Sequence, residues 1–281
     1  MAEDSLKVHT ASIAGVGSEL VRYRQLLVSL TWRDIRIRYK QSLLGVAWAV
    51  LLPLSMMLIF TFVFTRAIDT SSVLKVNMPY ALFAYIGLVP WTFFSQSLTG
   101  CVNSLVANRN LVTKVYFPRE VFPLSCVGGA FVDFCIAMAV LVGLVAYFHF
   151  SGTWTFTPRT TLLFLPVVVA VQIVMSVGIG MMLAMANLFY RDVRQIAGVT
   201  IQLLMFVSNV VVPIPQDGSL LGRIIALNPM VPIIGAYRDC VIHGHLPGAG
   251  GFIYATVVAF IVLVCGWACF RRASYRFAEC I

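Results

Sequence analysis

Charge is scarce in this 281-residue chain: Asp, Glu, Lys and Arg make up 11% of the residues, whereas apolar residues make up 60%. Soluble proteins carry about a quarter of their residues as charges, so a surface that faces water on all sides is excluded. From Ser42 to Thr65 there is no charged residue at all. A helix of that length reaches across the ~30 Å hydrocarbon core of a bilayer. The composition therefore indicates an integral membrane protein.

Several motifs that carry chemistry are absent as well. The chain has no Gly-Lys dipeptide and therefore no GxxxxGK[ST] phosphate-binding loop. CxxC, HExxH and GxSxG motifs are also missing. His243 and His245 lie near Cys240 on a Gly-rich segment, which is weak evidence for a metal site, and no metal is expected. We therefore expect a non-enzymatic conduit whose energy comes from elsewhere.

Hydropathy divides the chain into six apolar spans, which predicts an all-α integral membrane protein with six transmembrane helices. Between the fifth and sixth spans lie two shorter apolar runs, Leu220–Leu227 and Val231–Tyr237. Runs this short favour re-entrant or interfacial helices over complete crossings. The six predicted spans are Ser42–Thr65, Pro79–Val106, Val121–Phe148, Thr161–Tyr190, Gln195–Val212 and Phe252–Phe270.

The segment before the first span predicts an amphipathic helix at the membrane interface. From Glu19 to Lys40, apolar residues share one helical face and basic residues lie beside it. Asp34 falls on the apolar side, and we expect it to pair with Arg38 one turn later. A simple basic anchor and a docking surface for a partner both fit this pattern. The basic residues of the helix are Arg33, Arg36, Arg38 and Lys40.

The distribution of basic residues predicts the orientation. Fifteen of the twenty Lys and Arg residues fall in segments that a six-span topology puts on one side of the membrane. Cytoplasmic flanks are enriched in these residues, so we predict that both termini are cytoplasmic. The predicted domains are a cytoplasmic N-terminal segment (1–41), a six-helix transmembrane domain (42–270) and a cytoplasmic tail (271–281).

Two predicted cytoplasmic segments mix aromatic and charged side chains, and the first is stopped by Pro118. A short rigid element of this composition suits insertion into a groove on a soluble partner. An ordinary cytoplasmic turn with basic residues is the alternative. The candidate docking residues are Arg109, Leu111, Lys114, Tyr116, Phe117, Pro118, Arg119, Glu120, Tyr190, Arg191 and Asp192.

Asp133 lies within the third predicted span. A carboxylate at this depth is a functional candidate because charge is costly inside a membrane. The alternative is a polar contact to a neighbouring helix.

Several segments together resemble one family of membrane proteins. Residues 33–48 (RDIRIRYKQSLLGVAW) resemble the opening of the membrane subunits of type II ABC exporters that move polysaccharides. Residues 114–120 (KVYFPRE) resemble the first cytoplasmic coupling helix of that family. Residues 187–192 resemble the segment that ends its fourth span, and Asn228-Pro229-Met230 with Tyr237-Arg238 resembles its outer loop before the sixth. The matches are spread between residues 20 and 272.

The resemblance implies a homodimeric permease in the bacterial inner membrane, bound to two copies of a separate ABC ATPase that carries ATP and Mg. It also implies a substrate anchored to undecaprenyl diphosphate: O-antigen, which we favour, or capsule or teichoic acid. No nucleic acid is expected as a partner. The glycan would pass between the subunits along spans one and five, although helical packing explains the same residues. The candidate pathway residues are Trp48, Phe60, Phe64, Gln202, Ser208 and Asn209.

Three different functions remain open at this point. An ion-coupled secondary transporter would use Asp133, but inverted repeats typical of many such carriers are not evident. A lipid-processing membrane enzyme is the second of these functions, and an ABC exporter of small molecules is the third.

Overall fold

The structure is a computed structural model, and it describes residues 23–40, 44–67, 78–114, 118–156, 159–211, 222, 225–274 and 277. These residues form helices and no strand, so the all-α prediction is confirmed for them. A 3-10 turn, Thr160–Phe164, leads into the sixth helix, and a π-helical turn, Asp239–His243, follows the eighth. The helices are α1 Arg24–Lys40, α2 Ala47–Ala67, α3 Tyr80–Ala107, α4 Arg109–Lys114, α5 Val121–Phe150, α6 Leu165–Phe189, α7 Val193–Val207, α8 Met230–Arg238 and α9 Ala249–Ser274.

Within the described ranges, five helices are long and apolar enough to cross a membrane: α2, α3, α5, α6 and α9. They match five of the six predicted spans. The predicted fifth span, Gln195–Val212, corresponds to α7, whose 15 residues rise about 22 Å and fall short of the ~30 Å hydrocarbon core. The chain leaves the helix after Val207. The prediction of six spans is therefore not confirmed.

The flanking predictions are described only in part. The predicted amphipathic helix corresponds to α1, which is described as far as Lys40; residues 41–43 lie outside the described residues. Its first residues, from Glu19 to Arg22, lie outside the described residues, as do four of the eight residues in Leu220–Leu227. The run Val231–Tyr237 lies within α8. α1 packs along the first half of α5, where Thr31 faces Gly128; its position in the headgroup plane stays a prediction.

Helix α3 is the centre of the bundle. In α3, 83% of the apolar stretch is buried inside the protein, whereas the share is 17% for α2 and for α9. At the same time, α3 has the lowest mean hydropathy of the five spans. It packs against α2, α5, α6, α7 and α8. A helix surrounded by protein can keep polar side chains that a helix facing lipid cannot. The least apolar span is therefore the most enclosed one.

Helices α6 and α9 approach each other most closely at a pair of glycines. A methyl group on Gly178 would lie 2.7 to 2.8 Å from backbone atoms of Val262 and Leu263, and one on Gly266 would meet the Gly178 carbonyl. Small residues let membrane helices pack backbone to backbone. Of two other small residues of α6, Ser176 is buried and Gly180 faces Cys101 of α3.

We expect Gly178→Ala to lower the thermal stability of the purified protein, since overpacking of this kind costs about 1–3 kcal/mol. The matched control is Gly143→Ala in α5, where a methyl group meets nothing within 4 Å. Melting temperatures in detergent compare the two. Equal melting temperatures for both variants would contradict the close approach of α6 and α9.

Candidate functional site

A polar stripe runs along one face of α3. Ser95, Thr99 and Asn103 recur every four residues, and Gln96 lies beside them. Their hydroxyl and amide groups bond back to the helix in part: the Thr99 hydroxyl donates to the Ser95 carbonyl at 2.8 Å, and the Asn103 amide donates to the Thr99 carbonyl at 3.2 Å. Thr99 is exposed and the other three are partly exposed. The stripe is therefore the open side of an otherwise buried helix.

Two cavities open onto this stripe. One, of about 590 Å³, lies between the end of α1 and helices α2, α3 and α5. The other, of about 300 Å³, lies between α3 and the start of α7. Thr99 and Asn103 line both cavities, so the two adjoin the same stripe, and we call them together the α3 groove. Neutral hydroxyl and amide groups of this kind donate and accept hydrogen bonds without carrying charge.

The predicted pathway residues divide between the groove and the packed interior. Trp48 lines the larger cavity and Gln202 the smaller one. Phe64 instead stacks on Tyr80 of α3, with ring centroids 5.4 Å apart, and Phe60 packs against Phe64 at 6.4 Å. Of these four residues, Trp48 and Gln202 therefore face the groove, and Phe60 and Phe64 do not.

Ser208 and Asn209 lie where the chain leaves α7. The Ser208 hydroxyl donates to the Leu204 carbonyl at 2.5 Å and accepts from the Asn228 amide at 2.8 Å. Asn209 has a φ of 56°, the left-handed region that Asn tolerates better than most residues. These two residues shape a turn rather than line the α3 groove.

The carbonyls of that turn are held by Arg238 and Tyr80. The buried Arg238 guanidinium donates to the carbonyls of Asn209 and Val210, both at 2.7 Å. It also lies 3.7 Å from the centre of the Phe83 ring. The Tyr80 hydroxyl donates to the Val211 carbonyl at 3.0 Å. Since irregular backbone in an apolar setting needs partners inside the protein, this cage explains how α7 can end there.

A second buried contact joins α3, α6 and α8. The Gln172 amide donates to the Pro90 carbonyl at 2.6 Å and accepts from the Tyr237 hydroxyl at 2.7 Å. All three residues are buried. The large polar side chain that the sequence places within the fourth span is thus satisfied by neighbouring helices.

The carboxylate of Asp133 is bound by the end of α1. Arg38 and Tyr39 both donate to it. Burial, with the Asp133 carboxylate beside it, raises the pKa of the Tyr39 hydroxyl well above its usual range, so this hydroxyl remains a donor at neutral pH. These three side chains form one wall of the larger cavity.

The expected pair between Asp34 and Arg38 is wrong. Asp34 pairs instead with the adjacent Arg33 at 2.8 Å, and Arg33 also donates to Asn108 at 2.8 Å. Arg38 instead pairs with Asp133, whose carboxylate is nearly buried and also accepts from Tyr39. The basic strip therefore divides into the paired Arg33 and Arg38 and the exposed Arg36 and Lys40.

Part of the first candidate docking segment is bound within the chain. Glu120 is buried and pairs with Arg271 of α9 at 3.1 Å. Arg119 donates to the Ser274 carbonyl at the end of α9 and lies 5.7 Å from the centre of the Phe277 ring. Both residues thus anchor the start of α5 to the last helix. The side chain of Lys114 and all of Tyr116 and Phe117 lie outside the described residues.

The second candidate docking segment is exposed. Tyr190, Arg191 and Asp192 form the turn between α6 and α7, and all three face outward. In the first segment, Arg109 is exposed, while Leu111 and Pro118 are half-buried. The segments lie at the end of the bundle that also carries Arg119 and Ser274, and we call it the basal end.

Sequence analysis missed the α3 stripe and the Arg238 cage. The four-residue spacing of Ser95, Thr99 and Asn103 is visible in the sequence, but spacing alone does not tell an open face from a packed one. Arg238 follows an apolar run, which a topology argument treats as a flanking charge. Only the fold of residues 208–211 onto α8 reveals the role of Arg238.

A bundle of apolar helices around a polar groove has the architecture of a membrane permease. The profile of the family described as "ABC-2 type transporter" matches residues 25–242, so the chain belongs to this family of membrane proteins. The resemblance to ABC exporter membrane subunits is therefore confirmed.

Several curated relatives align over most of the chain. The "O-antigen export system permease protein RfbA" of Myxococcus xanthus is 32% identical over 94% of this chain and 98% of the relative. A Klebsiella pneumoniae protein with the same description is 30% identical over 90% of this chain and 94% of the relative. The "Polysialic acid transport protein KpsM" of Escherichia coli is 24% identical over 86% and 91%, respectively.

The contact between α1 and Asp133 predicts an asymmetric response to mutation. The Asp133 side chain is 7% exposed and that of Arg38 is 43% exposed. Arg38→Gln leaves a nearly buried carboxylate without its cation, whereas Asp133→Asn leaves an arginine that reaches water. We therefore expect Arg38→Gln to lower the melting temperature more than Asp133→Asn does.

The double variant should be more stable than Arg38→Gln alone, because no unpaired carboxylate remains. Arg36→Gln, an exposed position on the same helix, is the control and should change little. If Asp133→Asn were the more damaging single change, the carboxylate would have a role beyond this contact.

Proposed function

We propose that this chain is the permease subunit of an ATP-driven exporter that carries a polysaccharide, O-antigen in particular, across the bacterial inner membrane. Family membership and the descriptions of the relatives support this activity. The structural observation that carries the proposal is the α3 groove. Its α3 face offers neutral donors and acceptors along a helix in the centre of a membrane protein, beside the charged side chains of Arg38, Asp133 and Arg194, which suits a hydroxyl-rich chain.

The chemistry of the groove favours sugars over ions or apolar drugs. Hydroxyl and amide side chains exchange hydrogen bonds with sugar hydroxyls, and the exposed ring of Trp48 offers a face for stacking. Asp133, the carboxylate that an ion-coupled carrier would need, already accepts from Arg38 and Tyr39. We therefore favour ATP-driven polysaccharide transport over ion-coupled transport.

The groove also motivates the proposed homodimer. An open stripe of Thr99 and Asn103 is costly against lipid hydrocarbon. The helices on either side of it, α2 and α7, expose large apolar residues such as Phe62 and Phe206, which suit contact with lipid or with protein. A second copy that covers the stripe would turn two half-grooves into one polar channel.

Six crossings and cytoplasmic termini complete this arrangement. α7 together with residues 208–211 would form the fifth crossing, a short one that ends in the Arg238 cage. Residues 42–270 would then form the transmembrane domain, between cytoplasmic segments 1–41 and 271–281. The basal end, with Arg36, Lys40 and Arg191, would face the cytoplasm, in agreement with the distribution of basic residues.

An undecaprenyl diphosphate anchor on the substrate fits the mouth of the larger cavity. Arg36 and Lys40 are exposed on α1, close to the Arg38 and Tyr39 wall of the cavity, and cations bind diphosphate through charge-assisted hydrogen bonds. Arg38 itself is neutralised by Asp133. We therefore assign the anchor to the two exposed basic residues.

A separate ABC ATPase, in two copies with ATP and Mg, is the proposed energy source. The chain lacks the phosphate-binding loop, and Tyr190, Arg191 and Asp192 offer an exposed aromatic and charged contact at the basal end. Arg119 and Glu120 are not part of this exposed contact, since they bind to α9 within the same chain. Their bonds to α9 would pass movement of Pro118 at the basal end to the last helix.

Blocking the α3 groove tests the transport route. We expect Thr99→Trp and Asn103→Trp to reduce surface polysaccharide strongly, because the added indole fills the space beside the stripe. The control is Val142→Trp on the exposed side of α5. Immunoblotting of surface glycan, with the amount of permease in the membrane measured in parallel, gives the readout. Normal export through both groove variants would contradict the route.

Docking of the ATPase is tested at the exposed turn. We expect the double variant Tyr190→Ala/Arg191→Glu to lower copurification of the ATPase subunit and, with it, export. Arg66→Glu, an exposed position at the end of α2 away from the basal end, is the control with the same charge change. Undiminished copurification would place the ATPase contact elsewhere.

A further inference from the structure

Three potential metal ligands converge in the turn between α8 and α9. The π-helical turn places Asp239 and His243 on the same side, four residues apart. Gly244, with a φ of 64°, then reverses the chain, and His245 comes back over Asp239. This turn belongs to neither the α3 groove nor the basal end.

The donor atoms have the separations of a metal site. His243 Nδ1 lies 3.2 Å from Asp239 Oδ1, and His245 Nε2 lies 4.0 Å from the same oxygen. One ligand atom from each of the three residues falls within 4.8 Å of the others. Zn²⁺ bonds of about 2.1 Å in tetrahedral geometry put neighbouring ligand atoms about 3.4 Å apart. The two measured distances lie on either side of that value.

The turn is fixed from several directions. Arg159 donates to the carbonyls of His243 and Gly244, at 3.1 and 3.3 Å. The Thr161 hydroxyl donates to the Cys240 carbonyl at 3.3 Å, and the His245 amide donates to the Asp239 carbonyl at 3.3 Å. The backbone that carries the three ligands is therefore held in place before any ion binds.

The side chains themselves remain accessible. The exposed fractions are 25% for Asp239, 37% for His243 and 62% for His245. The imidazole rings are nearly parallel, with centroids 5.3 Å apart. An ion can thus enter from solvent, and its fourth position stays open to water.

We propose that Asp239, His243 and His245 bind a divalent transition metal ion of the Zn²⁺ class. Two imidazoles and one carboxylate are a ligand set that suits Zn²⁺ and neighbouring transition metals, whereas Mg²⁺ and Ca²⁺ prefer oxygen ligands alone. From the sequence, His243 and His245 beside Cys240 are only weak evidence for a metal site; the third ligand in the structure is Asp239. The Arg159 cation beside the turn weakens binding relative to a buried Cys-rich site.

The site has a structural consequence for the connection between α8 and α9. Arg238, which holds the carbonyls of residues 209 and 210, directly precedes Asp239. An ion that ties Asp239 to His245 stiffens the turn that follows this anchor. Metal binding should therefore raise the melting temperature of the protein. The inference does not depend on the proposed polysaccharide or on the ATPase.

Zn²⁺ binding to the purified full chain in detergent tests the proposal, measured by competition with a chromophoric chelator. We expect one site per chain, lost in His243→Asn and in His245→Asn and weakened in Asp239→Asn. His149→Asn is the matched control, because His149 is an exposed histidine whose Nδ1 accepts from the Phe156 amide at 3.1 Å. Melting curves without metal establish that each variant is folded. If one of the other variants does not fold, His245→Asn decides the test, because His245 is the most exposed of the three ligands.

Co²⁺ gives a spectroscopic check on the ligands. We expect visible absorption bands of tetrahedral Co²⁺ that are absent in the His243→Asn and His245→Asn variants. Retained Zn²⁺ affinity in both histidine variants, an equal loss in His149→Asn, a sulfur-to-metal charge-transfer band, or equal competition by Mg²⁺ would each overturn the proposal.

Discussion

The structure depends on one constraint: a polar group within an apolar bundle needs a partner inside the protein. Helix α3 meets this constraint by lying at the centre, with 83% of its apolar stretch buried. Its carbonyls and side chains take part in bonds from other helices, such as that of Gln172 to Pro90. The outer helices α2 and α9 face outward and consist almost entirely of apolar side chains. The position of a helix in the bundle and the polarity of its side chains therefore follow from the same requirement.

The end of α7 is the clearest case. Beyond Val207, where this 15-residue helix ends, the carbonyls of residues 209–211 have no helical partners, and in an apolar setting water does not replace them. Arg238 and Tyr80 supply the missing donors from α8 and α3. The guanidinium is itself buried, against the Phe83 ring. The cost of burying this cation is offset by carbonyls that would otherwise remain unpaired, so helix end and cation stabilise each other.

The sequence predicts the features that arise from composition and local pattern, and misses those that join distant segments. Five spans follow from apolar runs. The partner of Arg38 does not follow, because the helical four-residue rule considers Asp34 and not Asp133, 95 positions away. In α3 the spacing of the polar stripe is visible, but its openness depends on where α2 and α7 pack. Contacts between helices are set by the fold, so local sequence patterns do not reveal them.

The polar groups of the α3 groove also need partners, and this need bears on how two copies of the chain would assemble. Within one chain, α1 supplies the hydrogen-bond donors for Asp133, and Arg238 and Tyr80 supply those for residues 209–211. Thr99 and Asn103 are not enclosed in this way, since each bonds to its own helix and still faces an open cavity. A stripe that one chain leaves open is stable in a bilayer only if water, substrate or a second copy covers it. The proposed channel between two copies would provide all three, because it would exclude lipid and admit both water and a hydroxylated substrate. The exposed polar face in a single chain is therefore an argument for the proposed dimer.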